Sequence, residues 1–167
     1  MPKLDIAAIE QTSRTGYPMP YAAEMTGRHY QRLGAAGGLT QIGVSRCVLD
    51  PGGVSSQRHW HEGIDEFVVM LEGEAILVED EGETVMRPGD CATFPKDVPN
   101  GHRLINRTDK PCVFLAMDCR VGEGNCHYPD IDLLFDIGKN AFTHKDGSSY
   151  LARSRHPGLD PGSTCIC

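Results

Sequence analysis

From Thr40 onward, apolar positions tend to recur at every second residue, the spacing of a strand with one face turned to a core. The segment 40–50, T-Q-I-G-V-S-R-C-V-L-D, sets Ile42, Val44 and Val48 on one face, and Pro51-Gly52-Gly53 ends it as a turn. Two more strands are predicted, one through His59 and His61 and one over 66–71, with a turn at Gly63-Ile64-Asp65 between them. Glu72-Gly73 and Asp80-Glu81-Gly82-Glu83 read as hairpin turns on either side of a strand at 75–78, and 84–87 returns. Arg87-Pro88-Gly89-Asp90 has Pro second and Gly third, as a type II turn requires. Strands at 91–94, 102–106 and 111–119 bring the series to roughly eight, the pattern of an all-β sandwich or barrel.

The flanks lack this alternation. Residues 1–39 read as an N-terminal arm: a helical turn at 6–11, an extended Tyr17-Pro18-Met19-Pro20-Tyr21, and a short helix over 22–33 ended by Gly34. A helix-turn-helix reading would need two full amphipathic helices and a basic face, and the arm has neither. The β-barrel is assigned to 40–120 and a C-terminal extension packing on it to 121–152. In the extension, 128–135 is predicted as one extended piece and 142–150 as a hairpin turning at Asp146-Gly147. The Pro/Gly-rich tail 153–167 is expected to be disordered.

Composition narrows the function classes. The 167-residue chain carries a net charge of −7, which argues against nucleic acid and anionic membranes as partners. No apolar run reaches membrane-spanning length and the N-terminus has no signal-peptide core, so a cytoplasmic location is expected. Seven cysteines without a secretory context point to reduced thiols. Cys47, Cys91 and Cys112 sit in strand-like runs and are predicted as small core residues. The terminal Cys165-Ile166-Cys167 lacks partner ligands at zinc-site spacing.

The chemistry lies in 53–73, G-V-S-S-Q-R-H-W-H-E-G-I-D-E-F-V-V-M-L-E-G. In a strand His59 and His61 share one face, with Trp60 on the other. Glu66 opens the next strand, and antiparallel pairing would bring it level with the two histidines. His102 heads a later strand. Imidazoles with one carboxylate suit a divalent transition metal, Fe, Mn, Ni or Zn, better than Ca or Mg. Gln57 shares the face of His59, and Met70 and Val68 share that of Glu66, so Gln57 and Met70 are predicted to line a pocket. A phosphorylated substrate would need a cation. Arg46 and Lys96 are the better candidates, since Arg58 and Arg103 alternate away from the ligands. Asp65 and Glu62 are acid/base candidates, and His127 and Tyr128 are placed where they would cover the mouth.

These residues resemble the cupin superfamily. Its first motif, G-x5-H-x-H-x(3,4)-E-x6-G, is matched by Gly53, His59, His61, Glu66 and Gly73. Its second, G-x5-P-x-G-x2-H-x3-N, is matched by Gly89, Pro95, His102 and Asn106, with Asp97 in the place of Gly and two extra residues before His102. The resemblance covers 40–119 and implies a double-stranded β-helix (jelly-roll barrel), a three-histidine, one-glutamate metal centre and often a homodimer. Its single barrel and flanks are similar to small bacterial conserved-barrel cupins, some of them sugar-phosphate isomerase-like. The fold hosts many reactions. The expected function is therefore a metal-dependent enzyme on a small oxygen-rich molecule, a sugar or sugar-phosphate isomerase. The alternatives are an Fe-dependent dioxygenase and a non-catalytic ligand-binding or sensor protein.

Overall fold

Twelve strands build the fold in the computed structural model, which describes residues 3–119 and 122–150. They are β1 (Arg28–Arg32), β2 (Ile42–Leu49), β3 (Trp60–His61), β4 (Glu66–Glu72), β5 (Ala75–Glu79), β6 (Gly82–Met86), β7 (Cys91–Phe94), β8 (Arg103–Ile105), β9 (Cys112–Cys119), β10 (Asn125–Tyr128), β11 (Leu133–Asp136) and β12 (Ala141–Thr143). A five-stranded sheet runs β1-β2-β9-β4-β7, a four-stranded sheet β12-β11-β10-β3, and a three-stranded sheet β6-β5-β8. The pairings within them are antiparallel. The all-β, double-stranded β-helix class read from the alternating pattern and the motifs is the class observed.

One apolar core joins the five- and three-stranded sheets. Leu49, Met70, Leu77, Met86, Leu104 and Phe114 are buried there. A second core lies under the four-stranded sheet, where Tyr17 and Met25 of the arm pack with Cys126, Tyr128, Leu133 and Phe135. The arm and the C-terminal strands thus bury each other's aromatic side chains.

Several local expectations are corrected. Residues 28–32 form strand β1, paired with 45–49, rather than the end of a helix over 22–33. The polar run Arg-His-Tyr-Gln-Arg holds its edge position through ladder bonds and through side chains. Arg28 Nη1 donates to the Ser55 carbonyl (2.8 Å), and Gln31 Nε2 donates to the carbonyls of Ile6 and Ile9 (2.8 and 2.9 Å). In β2 the buried face is Gly43, Cys47 and Leu49, while Ile42 on the other face is 46 % exposed. Cys91 is exposed, because β7 is a sheet edge, whereas Cys112 is fully buried. Residues 128–135 are not one extended piece: β10 and β11 are the two arms of a hairpin, with Tyr128 opposite Leu133. The tail 153–167, with Cys165 and Cys167, lies outside the described residues.

Two motif positions have clear backbone causes. A Cβ on Gly53 would lie 2.5 Å from the Gly27 carbonyl oxygen and 3.0 Å from that of Asp50. Asp97, where the motif has Gly, adopts φ +63°, a left-handed conformation that Asp tolerates better than most residues. Its carboxylate accepts from Gly63 N–H (3.0 Å) and its own N–H donates to the His61 carbonyl (2.9 Å), tying the long loop to the histidine strand.

Candidate metal centre

His59, His61, Glu66 and His102 converge from separate sheets. His61 is in β3, and His59 precedes it and bridges to His102, which precedes β8. Glu66 heads β4, which pairs with β7 and β9 and not with β3. The expected pairing of Glu66 with the histidine strand is therefore replaced by an approach across the barrel. Closure of the barrel does what a hairpin was expected to do.

All four side chains are buried, with exposures of 1 % (His59), 3 % (His61), 4 % (Glu66) and 6 % (His102). Glu66 Oε1 lies 3.1 Å from His61 Nε2 and 3.9 Å from His59 Nε2, and Oε2 lies 2.7 Å from His102 Nε2. His59 Nδ1 donates to the Gln57 carbonyl (2.8 Å), which leaves Nε2 as the lone-pair nitrogen facing the cluster. Phe94 stacks on the His102 ring at 3.6 Å and 6° and fixes its plane.

Burial and neighbouring groups shift two of these side chains from their ordinary values. Burial alone would raise the Glu66 carboxyl, but the charge of His61 and close polar contacts with His102, His59 and His61 outweigh it. Glu66 is held well below the usual carboxylate range. Burial pushes His102 down, toward the neutral imidazole, against the opposing pull of Glu66.

The donor set fits a divalent ion. His59 Nε2 and both Glu66 carboxylate oxygens are buried with no aligned hydrogen-bond partner. Orphaned polar atoms of this kind are costly unless something satisfies them. Atoms about 2.0–2.2 Å from one ion lie about 3 Å from each other, close to the separations around Glu66. Ligand atoms of His59, Glu66 and His102 all fall within 4.8 Å of one another, and so do those of His59, His61 and Cys126. The first three were legible in the sequence. Cys126 was not assigned to the site, since only its pairing opposite His61 in β10 brings it there.

The pocket residues differ from those expected. Ser55, Ser56, Val68, Phe94 and Phe114 line the space beside His59, Glu66 and His102, which measures about 20 Å³, enough for a water. Arg46 points to the other face of β2, where Nη1 bonds Gln31 Oε1 (3.4 Å). Gln57 is buried but turned to Glu24, with Nε2 2.7 Å from Oε2. Met70 lies in the apolar core, beyond Val68, which takes the cavity position. His127 lies outside, stacked on Trp60 at 4.1 Å and bonded to Glu62 (2.8 Å), while Tyr128 is buried with its ring 5.9 Å from that of His59. The Lys96 N–H donates to Asp65 (2.9 Å), which makes Asp65 a loop fastener.

The Cupin domain family model matches residues 45–118. A crystal structure described as a sugar phosphate isomerase from a cupin superfamily, from Silicibacter pomeroyi, is 47 % identical; the match covers 90 % of this chain and 98 % of that one, with a TM-score of 0.86. A putative sugar phosphate isomerase from Acidithiobacillus ferrooxidans is 24 % identical over 75 % of this chain and 81 % of that one, with a TM-score of 0.67. The polyketide cyclase RemF from Streptomyces resistomycificus is 19 % identical over 71 % and 79 %, with a TM-score of 0.59. At these two lower identities the likeness is one of fold. No curated protein matches the chain.

Proposed function

The chain belongs to the cupin superfamily, and on that premise we propose that it is a metal-dependent isomerase of a sugar or sugar phosphate, with His59, His61, Glu66 and His102 as the ligands. The observation that carries this reading is the buried convergence of three imidazoles on one ionised carboxylate whose oxygens have no aligned hydrogen-bond partner. The description of the Silicibacter pomeroyi relative supports the substrate class. A divalent ion held there would polarise a carbonyl or hydroxyl oxygen as a Lewis acid. The chain's own groups do the rest. Gln57 and Phe94 hold the rings of His59 and His102, and Val68, Phe94 and Phe114 keep the surroundings dry. Ser55 and Ser56 border the cavity with their hydroxyls 3.3 Å apart, and Ser55 Oγ also accepts from the Leu104 N–H (2.9 Å).

Protein purified anaerobically should carry stoichiometric divalent metal, and His61→Ala should lose it while keeping the circular dichroism of the folded barrel. Aldose and ketose phosphates incubated in D2O should interconvert with deuterium entering at the carbon beside the carbonyl, followed by proton NMR. A metal-loaded protein that neither interconverts nor exchanges any of them would remove the isomerase assignment.

One observation favours a second reading. Three arginines around the barrel are already engaged, Arg58 with Asp130 and Asp80, Arg28 with the carbonyls of Ser55 and Arg14, and Arg107 with Glu83, which leaves Arg103 beside the cavity. An unphosphorylated, oxygen-rich ligand suits such a site, either oxidised by an Fe-dependent dioxygenase or simply bound. Oxygen uptake by the Fe(II) form, or thermal stabilisation by a ligand without turnover, would select between these two.

A further inference from the structure

The strand that carries His61 has a neighbour whose side chains share its inner face. In the antiparallel pair β3–β10, His61 stands opposite Cys126 and Trp60 opposite His127. Residues directly opposite in such a pair project to the same side of the sheet. Trp60 and His127 prove the register on the outer face, where their rings stack at 4.1 Å. On the inner face the same register sets the Cys126 thiol beside His61. Ligand atoms of Cys126, His61 and His59 all lie within 4.8 Å of one another, and all three residues are buried. This triad shares His59 with the His59–Glu66–His102 group, and His61 Nε2 is 3.1 Å from Glu66. The two groups form one continuous cluster of five potential ligands. A second observation points to a ligand there: His59, common to both groups, has a buried Nε2 with no aligned hydrogen-bond partner.

We propose that Cys126 is a metal ligand of this centre, making with His59 and His61 a sulfur-containing face that tunes the site toward thiophilic divalent ions such as Zn(II), Co(II) and Cd(II). The proposal rests on the metal-centre reading above and adds a ligand that the cupin motifs do not contain. Nitrogen and sulfur ligands on one tetrahedral ion lie about 3.3–3.6 Å apart, so a pair in the triad must close by about 1.5 Å at most, within the reach of side-chain rotations such as χ1 at Cys126. A thiolate beside imidazoles shifts preference from hard ions toward soft ones. The carboxylate of Glu66 on the opposite side keeps the set open to borderline ions.

Cobalt(II) reports this directly, because thiolate ligation adds an intense near-ultraviolet charge-transfer band that nitrogen and carboxylate ligands lack. The full chain with Cys165→Ser and Cys167→Ser, loaded with one equivalent of cobalt(II), should show the band. Adding Cys126→Ser should abolish it, lower Cd(II) affinity by about tenfold or more, and leave Mn(II) affinity within about twofold. Cys126→Ala serves if the serine variant does not fold, as judged by circular dichroism. X-ray absorption of the Zn(II) form of the parent chain provides a measurement without substitution at Cys126, with a sulfur shell at about 2.3 Å expected. Cobalt bound with only weak visible bands, or a charge-transfer band that survives Cys126→Ser, overturns the role of Cys126 while the histidine and glutamate centre stands. No cobalt bound at all overturns both.

Discussion

Asn106 makes four hydrogen bonds through one amide. Nδ2 donates to the carbonyls of Leu49 (2.8 Å) and Lys110 (2.7 Å), and Oδ1 accepts from the Thr108 N–H (2.9 Å) and hydroxyl (2.8 Å). Fully buried, it clips the turn after β8 to the end of β2. Asn106→Ala should cost about 2–4 kcal/mol, because it strands buried carbonyls rather than merely removing contacts. The urea midpoint should drop with little change in slope. At Phe94 the stacking fixes the plane of His102, a proposed ligand. Phe94→Leu should leave the fold intact and weaken metal affinity by about tenfold, read by competition with a metal indicator. The convergence of His59, His61, Glu66 and His102 was legible because the set matches a motif, although the hairpin expected to bring Glu66 to the histidines is not formed. Phe94, Ser55 and Ser56 were not, since they meet the site only once the barrel closes. Arg46 and Gln57 were misplaced because alternation gives a face but not the partner waiting on it, Gln31 in one case and Glu24 in the other.

Among the elements, the turn 50–53 sets where the histidine strand begins. Gly53 N–H donates to the Asp50 carbonyl (2.8 Å), and Asn106 N–H donates to the Gly53 carbonyl (2.9 Å). A methyl group at Gly53 would press on the Gly27 and Asp50 carbonyl oxygens, backbone atoms with little room to give. Gly53→Ala should therefore destabilise the protein by about 1–3 kcal/mol in urea titration. Strands with alternating Val, Ile and Leu were readable. Strand β1 was hidden because its run of charged and polar residues is stabilised by partners up to 27 residues distant, which no local pattern encodes.

For the whole molecule, the C-terminal strands are fastened over the barrel by polar ties as well as by the second core. Arg58 Nε donates to Asp130 (2.8 Å), and Glu62 accepts from Asn125 (2.8 Å) and contacts His127 (2.8 Å). The hydrogen bond from Arg58 holds the Asp130 carboxyl below its ordinary value of 3.8, although partial burial opposes it. With the folded value depressed, the unfolded chain takes up the proton first. The stabilisation is therefore complete above pH about 5 and is lost as pH falls through 3.8 toward the folded value. Asp130→Asn should cost about 0.5–1 kcal/mol at pH 7, since half the carboxylate faces solvent, and the gap to the parent should shrink by pH 3 in urea titrations. No helix among the described residues is long and apolar enough to cross a membrane.

Burial of the four proposed ligands would also have a kinetic consequence. With none of them more than 6 % exposed, a chelator in solution would have little access to an ion held there. Release would wait for the strands to part, so the exchange clock would belong to the protein and not to the scavenger. Stripping by excess EDTA should therefore saturate at one rate regardless of chelator concentration, and that plateau should rise in Asp130→Asn, which loosens the strands lying over the histidines.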